Sequence, residues 1–335
     1  MPRENGLPWS FADVIGQEEN IARLNREIAA ERRAHAYMFE GPGGTGKLTL
    51  ARGLVGRLFC LNPGQNGAAC QACRPCIMLA HGTHPDYLEL PREQAELRLG
   101  RFVERTQSTE NVEHQPLLPF LRLKSNEGGL RIAVVPDAER MRTEAANAFL
   151  KTLEEPPGQT LILLTVSARD RLPATITSRC RRLGLRPLDG GTLAAELERR
   201  GAASGDDARE LALTAEGSLG AALSLSGGET LEFWRWLDGE AFASPGAASA
   251  QDLADAMIAY GGGSGDNAGK RKSALAALDL AALALRRLLR RDVDPDRVAK
   301  ALGVLWTAAD QVVKNVRPDL VLLSAAFEVM SALRG

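Results

Sequence analysis

The sequence predicts an α/β fold with a parallel sheet, followed by an all-α region. Three observations support this prediction. Apolar runs alternate with amphipathic segments up to about Pro187, a glycine-rich loop joins the first apolar run to a helix, and Ala/Leu-rich helical patterns dominate after Pro187. Strands that alternate with helices are typical of doubly wound sheets. At 335 residues, the chain is long enough for two or three domains.

Composition and charge exclude several classes of protein. Hydrophobic residues make up 44% of the chain and charged residues 25%, as in a folded globular protein. The formal net charge of −1 excludes a whole-surface basic field, so any contact with DNA needs local basic patches. The first ten residues lack the apolar core of a signal peptide, and no apolar run reaches the roughly 18 residues that span a membrane. We therefore expect a cytoplasmic protein with no membrane partner.

The first half reads as helices and strands in alternation. Residues 17–31 have apolar side chains at helical spacing. The apolar run Ala36–Glu40 predicts a strand, and Lys47 to about Phe59 predicts the helix that follows the glycine-rich loop. Two further runs, Arg131–Val135 and residues 161–166, are continuously apolar. Such runs are typical of parallel strands that are buried on both faces.

Helices account for the remaining predicted elements. Thr143 can cap a helix that lies between the last two strands and ends before a Pro-Pro pair. Loops are predicted at residues 244–246 and 261–265. Residues 274–291 are apolar around more than half of the helix, which indicates packing on two sides. Two explanations stay open: a bundle of three or four helices within the chain, or a bundle that also joins helices of neighbouring subunits.

The glycine-rich loop lies between a predicted strand and a predicted helix, which is the context that a phosphate-binding Walker A loop requires. Glycines let backbone amides surround a phosphate, the helix N-terminus adds positive potential, and the lysine neutralises the distal phosphates. The ligand would be ATP or ADP, and whether the chain retains either stays open. The candidate nucleotide-binding residues, which include an aspartate after a later strand, are Gly41, Gly43, Gly44, Thr45, Gly46, Lys47, Leu48, Thr49 and Asp137.

Two positions, one in the loop and one after the aspartate, are unsuited to ATP hydrolysis. Leu48 stands where a Ser or Thr hydroxyl would hold Mg²⁺, and Thr49 is rotated from it by about 100° around the helix. Asp137 follows a predicted strand, where ligand-contacting groups lie in open α/β sheets. In hydrolysing P-loop motors a glutamate comes directly after this aspartate, but here Ala138 does, and Glu139 should point elsewhere. We expect that the chain is not an active ATPase by itself.

Four of the five cysteines form a candidate metal site. The spacing Cys-x-x-Cys-x-x-Cys supplies three thiolates on a tight turn, and the fourth comes from the end of the helix after the loop. Four sulfurs satisfy tetrahedral Zn²⁺ without an open coordination position, so the predicted zinc is structural. An iron–sulfur cluster and free thiols stay open as alternatives. The predicted ligands are Cys60, Cys70, Cys73 and Cys76.

Several motifs together resemble the AAA+ subunits of bacterial clamp loaders, over roughly residues 9 to 226. They lie at residues 11–17, 34–37, 82–86 and 150–157, in the four cysteines, and in the triplet Ser178-Arg179-Cys180. The resemblance implies a RecA-like AAA+ P-loop domain at residues 1–187 that carries the zinc module at residues 60–76. A small helical lid at residues 188–227 and an all-α collar domain for oligomerisation at residues 228–335 would follow.

The resemblance also implies a role in DNA replication. In this family the arginine of Ser-Arg-Cys reaches ATP that is bound to the neighbouring subunit, so Arg179 would act in trans as an arginine finger. A salt bridge or a solvated basic turn is the alternative role for Arg179. The implied assembly is a five-subunit ring of the DNA polymerase III holoenzyme that opens the sliding clamp and places it on primed DNA. Its other members would be the gamma/tau motor subunits and the delta subunit.

Departures from the motor pattern favour the delta-prime type of subunit. The gamma/tau motors keep the hydroxyl after the P-loop lysine, an Asp-Glu pair, and an arginine in a Gly-Ser-x-Arg stretch. Here that stretch, residues 217–220, ends in Gly220. An active gamma/tau-type ATPase is the main alternative. A zinc-dependent DNA-binding protein that acts alone and a stand-alone redox protein are further alternatives.

Overall fold

The computed structural model describes residues 9–92, 97–103, 115–126, 129–242, 248–261, 267–289, 291, 293–314 and 316–334. The chain divides into two compact units, Met1–Ala222 and Leu223–Gly335. The predicted boundaries at residues 187 and 227 stay predictions. In the parts of the chain that the structure describes, no helix is both long enough and apolar enough to cross a membrane.

The first unit contains a five-stranded sheet in which every pair of neighbouring strands is parallel. The order of the strands across the sheet is β2-β3-β4-β1-β5, so the strand before the glycine-rich loop lies near the centre. The predicted RecA-like AAA+ α/β fold is confirmed. The strands are β1 (Ala36–Glu40), β2 (Tyr87–Glu89), β3 (Arg131–Val135), β4 (Thr160–Val166) and β5 (Arg181–Gly184).

Sequence patterns identified the central strands and missed the edge strands. Every residue of β3 and β4 is buried, which is why these two strands read as continuous apolar runs. The edge strand β5 is exposed except for Leu183, and β2 is only half-buried over three residues. Neither edge strand therefore has a hydrophobic run long enough to be recognised.

Helices cover both faces of the sheet, and each face has its own hydrophobic cluster. The predicted N-cap at Thr143 is wrong, because Thr143 is already the first helical residue. Arg142 precedes it in an extended conformation and donates its backbone N–H to the carbonyl of Leu97, which fixes where the helix can begin. The helices are α1 (Glu18–Ala29), α2 (Lys47–Phe59), α3 (Arg74–Ala80), α4 (Leu117–Arg122), α5 (Thr143–Glu154), α6 (Ala174–Thr177), α7 (Gly190–Arg199), α8 (Gly205–Thr214) and α9 (Leu219–Leu225).

All secondary-structure elements in the described residues of the second unit are helices. Helices α11 to α14 pack as a four-helix bundle, and α12 contacts α11 on one side and α13 on the other, as its apolar circumference predicts. Of the two loops predicted here, residues 244–246 and 262–265 lie outside the described residues, and Gly261 ends α11. The helices are α10 (Gly228–Trp236), continued by a π-helix (Leu237–Ala241), α11 (Ala250–Gly261), α12 (Asn267–Leu288), α13 (Pro295–Val313) and α14 (Pro318–Arg334).

Candidate functional site

The predicted P-loop joins β1 to α2. Gly44 and Gly46 have positive φ angles of 72° and 87°, a conformation that side chains other than glycine rarely adopt. The Thr45 hydroxyl donates to the carbonyl of Pro42 over 2.9 Å, which closes the turn. The structure thus brings the loop glycines, Thr45 and Lys47 together in a strand–loop–helix arrangement.

Lys47 is folded back into its own loop. Its ammonium donates to the carbonyls of Gly41 and Pro42, at 2.7 and 2.6 Å, and the residue is only 6% exposed. Burial lowers the pKa of Lys47, while the nearby carboxylates of Glu139 and Asp137 oppose that shift. The lysine therefore already has acceptors in the place where a phosphate would otherwise receive its hydrogen bonds.

The 217–220 stretch lies against the P-loop. The backbone N–H of Gly220 donates to the carbonyl of Gly44 over 3.3 Å. A Cβ atom on Gly44 would lie 2.0 Å from the hydroxyl of Ser218, so glycine is required there both for φ and for space. The position at which motor subunits would carry their arginine is thus in direct contact with the loop, but Gly220 offers no side chain.

Position 48 offers an apolar side chain. Leu48 is half-buried and packs against the hydrophobic cluster on its side of the sheet, and Thr49 is half-buried as well. Leu48 carries no oxygen that could coordinate a cation.

Asp137 follows β3, at the same edge of the sheet as the P-loop. Its backbone has a left-handed conformation with φ of 48°, and its N–H donates to the Thr165 hydroxyl over 3.0 Å. Both carboxylate oxygens accept from the guanidinium of Arg92, at 3.1 Å from Nε and 3.3 Å from Nη2. The aspartate that would serve a metal ion in a P-loop motor is paired with an arginine of its own chain.

Neither residue after Asp137 is arranged like the glutamate of a motor. Ala138 is fully buried. One carboxylate oxygen of Glu139 accepts the N–H of Ser167, just past β4, over 3.0 Å. The charge of Glu139 nevertheless acts on Lys47, so the side chain lies closer to the P-loop than its place on a turn indicated.

Arg179 lies on the turn between α6 and β5, and its side chain is 35% exposed. One terminal nitrogen donates to the carbonyl of Thr175 over 2.8 Å and to the Ser178 hydroxyl over 3.4 Å. The other donates to the carboxylate of Glu154, at the end of α5, over 2.6 Å. A guanidinium has five N–H donors, and these three contacts hold it in one orientation while part of it faces solvent.

The four predicted metal ligands converge at the C-terminal end of α2. The sulfur atoms of Cys60, Cys70, Cys73 and Cys76 all lie within 4.8 Å of one another. Tetrahedral Zn²⁺ with Zn–S bonds of about 2.3 Å requires sulfur atoms about 3.8 Å apart, so only a small contraction separates the cluster from a zinc site. The cluster can therefore hold a metal ion.

Backbone N–H groups already point at two of these sulfurs. The N–H of Cys70 donates to the sulfur of Cys60, and the N–H of Cys73 donates to that of Cys70. Donors from Ala72 and Cys73 lower the pKa of Cys70 to about 6, whereas burial raises the pKa of Cys60 and Cys76. N–H groups that stabilise thiolates are suited to a site that binds a cation through sulfur.

Sequence reasoning missed three residues at these sites. The sequence around Arg92 contains no motif that indicates a contact with Asp137. Glu154 lies in the motif at residues 150–157, but the motif did not reveal that it holds Arg179. Ser218 lies in the 217–220 stretch, whose sequence indicated only a missing arginine and not the contact with Gly44.

Comparison with known proteins gives consistent matches. The family model described as "DNA polymerase III, delta subunit" matches residues 16–189, more than half of the chain. The delta' subunit of DNA polymerase III from Pseudomonas aeruginosa is 38% identical over 200 residues, which cover 60% of this chain and 55% of that protein. The delta' subunit from Escherichia coli is 36% identical over 222 residues, which cover 66% of this chain and 61% of the relative.

A motor subunit also matches. The tau subunit from Escherichia coli is 31% identical over 224 residues, 65% of this chain and 33% of that protein. The chain thus spans little more than half the length of the delta' relatives that it matches. Since the family model covers more than half of its residues, the chain belongs to the DNA polymerase III delta subunit family.

Proposed function

We propose that the chain acts as the delta-prime subunit of a DNA polymerase III clamp loader. It would support ATP-dependent loading of the sliding clamp onto primed DNA without hydrolysing ATP itself. The observation that carries the proposal is a contrast within one chain. The residues around the P-loop are unsuited to hydrolysis, whereas Arg179 stands on an exposed turn with its guanidinium oriented.

The P-loop would bind nucleotide without turning it over. Lys47 and the loop glycines are the groups that cradle phosphates, and they favour binding of ATP or ADP. Hydrolysis by P-loop enzymes further depends on a held Mg²⁺ and an oriented water. Leu48 provides no metal ligand, and Ala138 provides no carboxylate for the water.

Arg179 would act in trans on ATP that is bound to a neighbouring gamma/tau subunit. A guanidinium at that place stabilises the charge on the transferring phosphoryl group, which is worth about 10³- to 10⁵-fold in kcat in other phosphoryl-transfer enzymes. The pairing with Glu154 supports this role, because it orients the planar guanidinium without burying it.

The cysteine cluster would hold one structural Zn²⁺. Cys60, Cys70, Cys73 and Cys76 would supply four sulfur ligands and leave no position for a substrate. The ion would fix the segment after α2, and so help to stabilise the helix that begins at Lys47.

The helical second unit would serve as the collar. Helices α13 and α14 expose the large apolar side chains of Trp306, Leu320 and Phe327, with Trp306 61% exposed. We propose that helices of neighbouring subunits, the delta and gamma/tau chains, cover this surface. Contacts with the clamp and with primed DNA would follow from the assembly, and those to DNA would be to phosphates, which position without reading sequence.

A gamma/tau-type ATPase is the second candidate. The match to the Escherichia coli tau subunit favours it, as does the retention of Lys47 and Asp137. It differs from the main proposal in a measurable way, because it requires ATP turnover by the isolated chain that Lys47→Ala abolishes.

Reconstitution of the full chain with gamma/tau, delta, clamp and primed DNA tests the main proposal. We expect Arg179→Ala to lower DNA-stimulated ATP turnover of the complex severely and to leave assembly, followed by size-exclusion chromatography, unchanged. Arg209→Ala is the matched control, since it removes the same charge from an exposed position that pairs with Asp206 on its own helix. Turnover equal to wild type in the Arg179→Ala complex would contradict the role in trans.

A further inference from the structure

We infer that the P-loop of this chain takes a nucleotide without a divalent cation, and that the guanidinium of Arg92 stands in the place of the Mg²⁺ ion. This inference rests on the proposed retention of nucleotide by the loop. It is independent of the role of Arg179, which concerns a different surface of the chain. The ligand class is a nucleoside di- or triphosphate in its metal-free form.

The residues of this site do not fit Mg²⁺. The ion demands near-octahedral coordination by oxygen, and in P-loop proteins one of those oxygens is the hydroxyl of the residue after the lysine. Leu48 occupies that position and packs into the hydrophobic cluster. The first protein ligand of the ion is therefore replaced by a hydrocarbon side chain, which cannot coordinate a cation.

The second metal-binding group is already paired. Asp137 is held from its backbone by Thr165, and Arg92 forks onto both of its carboxylate oxygens. The Asp137 side chain is only 15% exposed, so little of the carboxylate is left for a hydrated ion. A bidentate pair between guanidinium and carboxylate occupies both carboxylate oxygens in a fixed geometry. Mg²⁺ would have to break this pair to reach the aspartate.

Arg92 can supply part of what the ion would have supplied. The pair of Arg92 with Asp137 lies past the carboxyl end of β3, the same end of the parallel sheet at which the P-loop follows β1. Burial is the main cause of the lowered pKa of Lys47, and the positive charge of Arg92 adds to it. The described contacts of Arg92 with Asp137 use Nε and Nη2, and Nη1 carries two further N–H donors. A guanidinium with N–H donors turned toward a phosphate binds it directly and without metal.

The electrostatic balance supports the same conclusion. Lys47 and Arg92 carry two positive charges, and Asp137 and Glu139 carry two negative ones, so the four side chains are neutral together. A hydrated Mg²⁺ ion that entered this site would find no ligand at position 48, and the positive charge of Arg92 would repel it. We therefore expect Mg²⁺ to contribute little to the affinity.

An equilibrium titration of the full chain with a fluorescent ADP analogue tests this inference, carried out once with excess Mg²⁺ and once with EDTA. We expect the two dissociation constants of the wild-type protein to agree within about twofold. Arg92→Ala should weaken binding in EDTA by about tenfold or more, because one charge-assisted contact is lost. Arg92→Lys, which keeps the charge and loses the fork, should lie between the two. Arg92 is 64% exposed, so these variants should fold, and thermal melts verify this.

A double variant and a control sharpen the test. Leu48→Thr alone should stay insensitive to Mg²⁺, whereas Leu48→Thr combined with Arg92→Ala should bind more tightly with Mg²⁺ than with EDTA. Lys47→Ala should abolish binding in both buffers, and persistence of binding would place the probe outside the loop and overturn the inference. Wild-type binding that requires Mg²⁺, or no binding in either buffer, would also overturn it. Neither outcome would change the effect of Arg179→Ala in the assembled complex.

Discussion

The P-loop and the turn that carries Arg179 differ in how far their cationic side chains are exposed to solvent. Lys47 is buried and donates to two carbonyls of its own loop. Arg179 is held by Glu154 and by the carbonyl of Thr175, yet about a third of its side chain is exposed. The charge of Lys47 is buried and satisfied within its own loop, whereas the charge of Arg179 is oriented by its neighbours and remains partly exposed.

In the proposed function, this difference would let a P-loop fold act on the nucleotide of another subunit. Hydrolysis in the same chain needs a hydroxyl, a metal ion and a carboxylate in one place, and the loss of each is tolerated where other groups fill the space. An arginine that acts in trans needs only orientation and access. A carboxylate and a carbonyl at the rim of the turn provide the orientation.

The largest effect on stability should come from the cysteine cluster, which lies at the opposite end of α2 from Lys47. Cys73→Ser would remove one of the four proposed zinc ligands, and the binding energy of a structural zinc is folding energy. Loss of a quarter of the roughly 12 kcal/mol that is typical of such sites is about 3 kcal/mol. For a unit of this size, Tm should fall by about 6–12 °C.

Zinc content and thermal melts check this prediction. The wild-type chain should contain one zinc ion per molecule and Cys73→Ser far less. Cys180→Ala is the matched control, because that thiol is buried outside the cluster, and its zinc content should equal that of wild type. A wild-type protein without zinc after purification would contradict the assignment and would leave the stability of both regions to the hydrophobic core.

A smaller effect, on ATP turnover of the assembled complex, should come from substitution of Glu154, whose carboxylate contacts Arg179. Glu154→Ala frees the guanidinium of Arg179 without removing it. An exposed ion pair is worth about 0.2–1 kcal/mol, so turnover of the assembled complex should fall by roughly 1.4- to fivefold. Loss of orientation should appear in kcat and leave KM for ATP unchanged.

The neighbouring Glu155 provides the control, since Glu155→Ala removes the same charge from an exposed position one residue away. In the Arg179→Ala background, Glu154→Ala should have no further effect. If the two losses instead multiply, Glu154 acts through something other than Arg179.

The smallest effect should come from the P-loop itself. Lys47→Ala should abolish binding of nucleotide by the isolated chain but change turnover of the assembled complex by no more than about twofold, because in the proposed function the loop would not perform the chemistry. Parallel binding and turnover assays measure the two quantities. Loss of turnover in this variant, together with ATP hydrolysis by the isolated wild-type chain, would favour the gamma/tau-type alternative.

Much of this arrangement could be predicted from the sequence. Strands β1 and β3 and helix α2 have the bounds that their apolar runs and the glycine-rich loop indicate, because buried parallel strands and a P-loop both leave strong local signals. The four cysteines were recognisable by their spacing, and the structure brings their sulfurs together.

Contacts between distant segments could not be predicted in this way. Arg92 and Asp137 are 45 residues apart, and Glu154 and Arg179 are 25 residues apart. No local pattern encodes such pairs, because they depend on which strands become neighbours in the sheet. The edge strand β5 was missed for a related reason, since its arginines read as a solvated turn until β1 supplies a partner strand.

The proposed role of Arg179 at a neighbouring ATP site can be tested by measuring how much ATP is hydrolysed in the first turnover. Reconstituted complexes saturated with ATP are mixed rapidly with primed DNA, and the phosphate released in the initial burst is measured per complex. Because one chain would contribute one arginine to one neighbouring site, we predict that Arg179→Ala lowers the burst by about one phosphate per complex, with bound ATP unchanged. A burst equal to that of the wild-type complex would contradict the claim that Arg179 serves the site of a neighbour.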